Sequence, residues 1–208
     1  MPDFAITIQG AEPVAFAVAP ELAMKLHIRN THADEAVQSI MLHAQVQIEA
    51  TRRLYEDHEQ NRLRDLFGEP ERWNRTLRTM LWTHASVNVP PFTGETTVDL
   101  PVPCTFDFNV ATTKYFDGLT AGDIPACLLF SGTVFYEDSE HALRIAQIPW
   151  QTEARYRVPV ATWKRMMDHY YPNSAWLALR RDVFDRLHEF KRQRGLATWE
   201  QALERLLP

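Results

Sequence analysis

The chain has 208 residues, a formal net charge of -5 at pH 7, 45% hydrophobic and 24% charged residues, and only two cysteines, Cys104 and Cys127. That composition is ordinary for a globular protein. It excludes a disulfide scaffold and lacks the basic excess of a general nucleic-acid binder. A chain this long buries roughly 70% of the surface its unfolded form exposes, so its core needs no staples.

The N-terminal stretch MPDFAITIQGAEP lacks the basic and apolar regions of a secretory signal, and no run approaches the roughly 18 apolar residues of a membrane span. These features predict a cytoplasmic protein. The Asn74-Arg75-Thr76 sequon is then a chance match. The sequence leaves open whether Cys104 and Cys127 pair, although two buried thiols suit a reducing cytosol better.

Phe4, Ile6 and Ile8 alternate with polar or small residues, and Val14, Phe16 and Val18 repeat the pattern. Leu22, Met24, Leu26 and Ile28 alternate with Lys25, His27 and Arg29. After the turn-like segment 30–35, Ile40 to Ile48 alternates over a long half-buried strand. Period 2 with one wet face is the signature of an antiparallel sheet.

The polar stretch 55–78 interrupts that pattern. Leu63, Leu66 and Phe67 suit one short helix ended by Gly68 and Pro70, and Trp73, Leu77 and Met80 suit a second. Alternation returns over Leu81–Val89. Val98, Leu100 and Val102 follow, restricted by Pro101 and Pro103 to an edge strand or an irregular crossing. Thr105–Val110 is a further strand candidate. Pro125–Tyr136 reads as a central strand, joined through 137–141 to Leu143–Ile148 as a hairpin, and Arg155–Val160 reads as the last strand.

From Ala161 the period becomes 3.6. Trp163, Met166, Met167 and Tyr170 share one helical face, and Pro172 ends it. Asn173 or Ser174 is placed to cap a second helix carrying Trp176, Leu179, Val183, Leu187 and Phe190, closed by Gly195 at C′. Thr198 and Gln201 fit a capping box before a last short helix with Trp199, Leu203 and Leu206.

About eight strands followed by helices, without βαβ alternation or repeats, predict a mainly β (α+β) protein. The expected architecture is an antiparallel β-sandwich over 1–160, with a helical insertion at about 55–78, and C-terminal helices over 161–208 packed on it.

No site motif is complete. The eight histidines form no His-x-His or His-x-x-x-His pair, and no Cys-x-x-Cys is present, so no metal site is expected. His27 and His43 would approach each other only if their strands pair. Asp168 and His169 are neighbours on a helix and point in different directions. There is no nucleophile elbow and no phosphate-binding glycine loop, and Cys104 and Cys127 fall among predicted strands as core residues. Neither a cofactor nor a catalytic residue is expected. The aromatic group Trp163, Tyr170, Tyr171 and Trp176, with Arg180 and Arg181 on the next helix, is the candidate partner-binding surface. Tryptophan and tyrosine join large apolar area to a polar handle, and the arginines suit an acidic partner.

The segments LWTHASVNVPP (81–91), FDFNVATTKYFDG (106–118), PWQTEARYRVP (149–159) and DHYYPNSAWL (168–177) resemble an uncharacterised bacterial family, a domain of unknown function, over nearly the whole chain. The resemblance implies genes beside those of high-affinity uptake [NiFe]-hydrogenases. It therefore implies an accessory or assembly role with hydrogenase subunits or maturation factors as partners. It brings no catalytic residues.

Two functions follow as expectations. The first is a non-enzymatic interaction protein, without nucleic acid or a membrane span and with a homo-oligomer left open. The second is a small-ligand or carbohydrate-binding sandwich, with weak hydrolase activity at most, using Trp82, Phe92 or Trp150 as aromatic platforms.

Overall fold

The ten-residue strands β1 (Phe4–Pro13) and β2 (Glu21–Asn30) pair antiparallel, and β6 (Glu95–Pro103) completes a three-stranded sheet in the order β1-β2-β6. This computed structural model describes residues 3–32, 35–105, 110–138, 140–174 and 177–207. The second sheet runs β4 (Met80–Val89), β3 (Ala36–Ile48), β7 (Asp123–Glu137), β8 (Leu143–Gln147). The short β5 (Phe92–Thr93) continues β4 along the edge of β3, and β9 (Glu153–Pro159) continues β8 along β7. All pairings are antiparallel.

The two sheets face each other as a sandwich, with β4 against β6 at one seam and β1 against β9 at the other. Alternation decides what lies between them. Leu22, Met24, Leu26 and Ile28 of β2 and Ile40, Leu42, Val46 and Ile48 of β3 are buried, while Lys25, Arg29, Met41 and His43 are exposed. Pro101 and Pro103 lie on the edge strand β6, where a missing N–H leaves no inner ladder bond unmade. His27 and His43 belong to different sheets, so their strands do not pair. His27 instead lies 3.2 Å from Glu95.

Four helices sit near the sandwich end where β3 finishes and β4 and β7 begin. They are α1 (Asp57–Phe67), the four-residue α2 (Trp73–Thr76), α3 (Val110–Gly118) and α4 (Val160–Tyr170). Their aromatics close the core. Phe116 is the hub, 4.9 Å from Trp82 and 5.1 Å from Trp163 in edge-on contacts. The helical insertion therefore forms as its pattern predicts, with the polar α1 ending at Gly68, whose φ is 77°. Met80, expected in its second helix, instead begins β4.

Two expectations are corrected, and a third lies mostly outside the described residues. Residues Val14 to Val18 are not a strand: β1 stops at Pro13, and Phe16 and Val18 stand in solvent on the connection to β2. Of the expected strand Thr105–Val110, residues 106–109 lie outside the described residues, and Val110 opens α3. The helix expected from Asn173 or Ser174 begins only at Arg181, because Asn173 takes φ 52° and Arg180 stays extended as its N-cap.

The chain divides into two compact units, Met1–Asn173 and Ser174–Pro208, so α4 belongs with the sheets. The second unit holds α5 (Arg181–Gln193) and α6 (Trp199–Glu204). Gly195, at φ 62°, closes α5. Its N–H donates to Arg192 O and that of Leu196 to Lys191 O, the double-bonded C-terminal motif the sequence implied. Thr198 and Gln201 form the expected capping box of α6.

Candidate functional site

The expected partner-binding residues fall in both units. Trp163 is 3% exposed and packs on Phe116, so it is core. Tyr170 is half-buried, and its hydroxyl is a structural tie that donates to Val14 O at 2.6 Å and accepts from Ala17 N at 3.0 Å. His169 beside it donates to Ala15 O at 3.0 Å. These two side chains fasten the β1–β2 connection to α4. Tyr171 is half-buried. Trp176 lies outside the described residues. Arg180 and Arg181 are exposed in the second unit, and Arg180 pairs with Asp182 at 3.2 Å.

Of the three aromatic platforms, Trp82 is 1% exposed and Phe92 is half-buried against Phe4. Trp150 alone of the three stands in solvent, 87% exposed. Local backbone explains this. Between β8 and β9 the edge of β7 is interrupted by a turn, closed by Thr152 N to Pro149 O at 3.0 Å. Both ends of the turn are anchored to β7, by Ile148 N to Gly132 O at 3.0 Å and by Phe130 N to Thr152 O at 2.9 Å. Trp150 sits at the second position of that turn, so it projects from the sheet. Gly132 is required there, since a Cβ would come 2.2 Å from the carbonyl oxygen of Met41 on β3.

Beside Trp150 lies a groove of about 490 Å³ over the outer face of β4, β3 and β7, bordered by His43, Gln45, His84, Ser86 and Ser131. The register brings these together: His43 is paired with both Ser86 and Ser131, and Gln45 with His84. His43 Nδ1 and Ser86 Oγ are hydrogen-bonded at 2.8 Å. A serine–histidine contact is the first element of a nucleophile–base pair, but the groove lining supplies no carboxylate to orient the imidazole. The arrangement suits binding better than acyl chemistry.

In another concavity the acidic and basic groups are already partly paired with one another. The cleft of about 740 Å³ between Glu49, Arg52, Arg155 and Arg157 has Glu49 bonded to Arg52 at 3.0 Å and to Arg155 at 3.4 Å. Both cysteines are free and buried, and burial pushes the Cys104 thiol up to about 12 and also raises that of Cys127, against nucleophilic roles. Among the described residues no group of three or more His, Cys, Asp or Glu side chains is placed to hold a metal, and no helix is long and apolar enough to cross a membrane.

The model of a family of unknown function, DUF6084, matches residues 1–208. The chain belongs to that family. No curated protein matches it. Among solved structures, one similar chain is a protein described as late embryogenesis abundant, at 15% identity and TM-score 0.31, covering 76% of this chain and 73% of its own. Another is a β-glucosidase from Kluyveromyces marxianus in complex with glucose, at 10% identity and TM-score 0.22, covering 76% of this chain and 15% of the glucosidase. Likenesses this distant carry no argument about function.

Proposed function

We propose that the protein is a non-catalytic accessory factor of the cytoplasm that holds a protein partner through its C-terminal helical unit. The observation that carries the reading is α5: thirteen residues with a one-sided apolar pattern, none of them fully buried. Val183, Leu187 and Phe190 share its apolar stripe. Phe184 lies 5.3 Å from Trp199 of α6, and Lys191 sits over the Trp199 ring at 5.5 Å. Two short helices clustered on one tryptophan form a platform, while Leu203, Leu206 and Leu207 remain exposed. A unit of this size, below about 40 residues, lacks the core to stand alone and gains stability from a surface laid on it.

Charge indicates the kind of surface. Residues 174–208 carry seven basic against five acidic side chains, in a chain whose net charge is -5. Arg180, at the N-cap of α5, and Arg181 and Arg186 on the helix are all exposed and favour an acidic partner. Uptake [NiFe]-hydrogenase subunits or their maturation factors are the partners that the family resemblance implies.

The test is capture of those hydrogenase proteins by the tagged full-length chain, wild type against Phe184→Asp/Leu187→Asp. The expected result is stoichiometric capture by the wild type, at least tenfold weaker capture by the variant, and an unchanged melting temperature. Equal capture by both chains, or capture of no hydrogenase protein, counts against the reading.

A further inference from the structure

We propose that the groove over β4, β3 and β7 binds a neutral polyhydroxylated ligand, an oligosaccharide chain laid across the strands with one ring on the Trp150 indole. Every lining residue belongs to the first compact unit, so the inference does not rest on the reading of the C-terminal helices.

Three observations carry the inference. The first is the chemistry of the lining. His43, Gln45, His84, Ser86 and Ser131 offer hydrogen-bond donors and acceptors together, and the lining contains no Asp, Glu, Lys or Arg. A site for a phosphate, carboxylate or ammonium ligand would supply a countercharge, whereas sugar hydroxyls need mixed neutral partners. Among the described residues the side chains of Gln45, His84 and Ser131 have no hydrogen-bond partner within the protein, so that capacity is available to a ligand.

The second observation is Trp150. A tryptophan 87% exposed, outside the core and on a doubly anchored turn, is a rigid apolar plate at the edge of a polar groove. The ring face of a pyranose is a patch of C–H bonds bordered by hydroxyls. It matches an indole plate beside hydrogen-bonding side chains, as a planar anion or an aliphatic chain does not.

The third is shape. A volume of about 490 Å³ falls within the range of ligand pockets, about 300–1,000 Å³. The groove lies across three strands on the outer face of the sheet, where successive sugar units can lie side by side. A protein partner would instead favour a desolvated apolar centre, and the centre here is His43, Gln45 and Ser131.

The experiment uses the intact full-length protein and follows indole N–H and imidazole resonances while cellohexaose, xylohexaose, maltohexaose and chitohexaose are added separately to about 5 mM. That range detects dissociation constants near 1 mM. One or more of these oligosaccharides is expected to move the Trp150, His43 and His84 signals together. Trp150→Ala is expected to weaken binding about tenfold, the scale of a lost stacking contact. Gln45→Ala is expected to weaken it severalfold, with the melting temperature unchanged in both variants. The inference is overturned if no oligosaccharide moves these signals, if glycerol at equal concentration moves them as far, or if Trp150→Ala binds as tightly as the wild type.

Discussion

Replacing Glu59 by Gln should cost the fold about 3 kcal/mol, far more than a charge-neutralising change on a surface helix. Glu59 is 2% exposed on α1. Its Oε1 accepts from Arg53 Nη2 at 2.7 Å and from Thr120 N at 2.9 Å. Arg53 in turn donates to Asp123 O at 2.8 Å and Ala121 O at 2.9 Å, so the pair fastens the helical insertion to the connection between α3 and β7. A glutamine in place of Glu59 would keep the size and one acceptor. It would leave the Arg53 guanidinium, whose side chain is 10% exposed, without its countercharge. For a chain of this length about 3 kcal/mol corresponds to a fall of roughly 6–12 °C in melting temperature.

The same pair makes stability depend on pH. Burial raises the Glu59 carboxyl, but the Thr120 N–H and the Arg53 guanidinium outweigh it and hold the group below its ordinary 4.5. A depressed folded value contributes stability that is fully present above 4.5 and is lost as pH falls through the folded value. The gap between wild type and Glu59→Gln in urea titrations should therefore be full at pH 7 and close progressively below pH 4.5. Arg53→Met/Glu59→Leu should cost at least about 1 kcal/mol less than the two single changes summed. A Glu59→Gln protein within about 0.5 kcal/mol of wild type at pH 7 would refute the account of the pair as a buried fastener.

Tyr170→Phe removes the hydroxyl bonded to Val14 and Ala17, and should cost about 1–2 kcal/mol and speed amide exchange over residues 14–19, measured by mass spectrometry. Unchanged exchange there would show that Tyr170 does not hold the connection. With the Cys104 thiol up at about 12 and that of Cys127 also raised by burial, neither should react with iodoacetamide at pH 7.5 in the native protein. Both should react in urea, and native labelling of either would contradict their burial.

The legible parts of this fold are those where one physical factor dominates. In β2 and β3 every second residue faces the core and the rest face water, so period 2 appears directly in the letters. Gly195, Thr198 and Gln201 announce their helix ends because a left-handed backbone and a free N–H each select few residue types. α3 is hidden for the opposite reason. Thr112, Thr113, Tyr115, Phe116 and Gly118 are buried around much of its circumference, so no apolar stripe survives. Val14, Phe16 and Val18 mislead because alternation records a pattern and not the presence of a neighbouring strand. The face shared by Trp163 and Tyr170 was readable, but periodicity does not say what covers a face. Here Phe116 and the β1–β2 connection do.

The position of the groove follows from a feature that no local pattern encodes. Along β7, what would be one edge strand is broken into β8 and β9, and along β3 the Pro90-Pro91 break separates β4 from β5 in the same way. The first break coincides with Gly132, where β7 comes too close to Met41 of β3 for any side chain. That close approach draws together the strands carrying His43 and Ser131, and the Gly132 carbonyl also anchors the turn bearing Trp150. A side chain at 132 would force β3 and β7 apart and move the platform and the polar residues relative to one another. The geometry of an exposed site is thus set by a backbone contact inside the sheet. Trp150 stands in solvent, but the backbone that carries it is fixed at both ends of its turn to the core strand beneath.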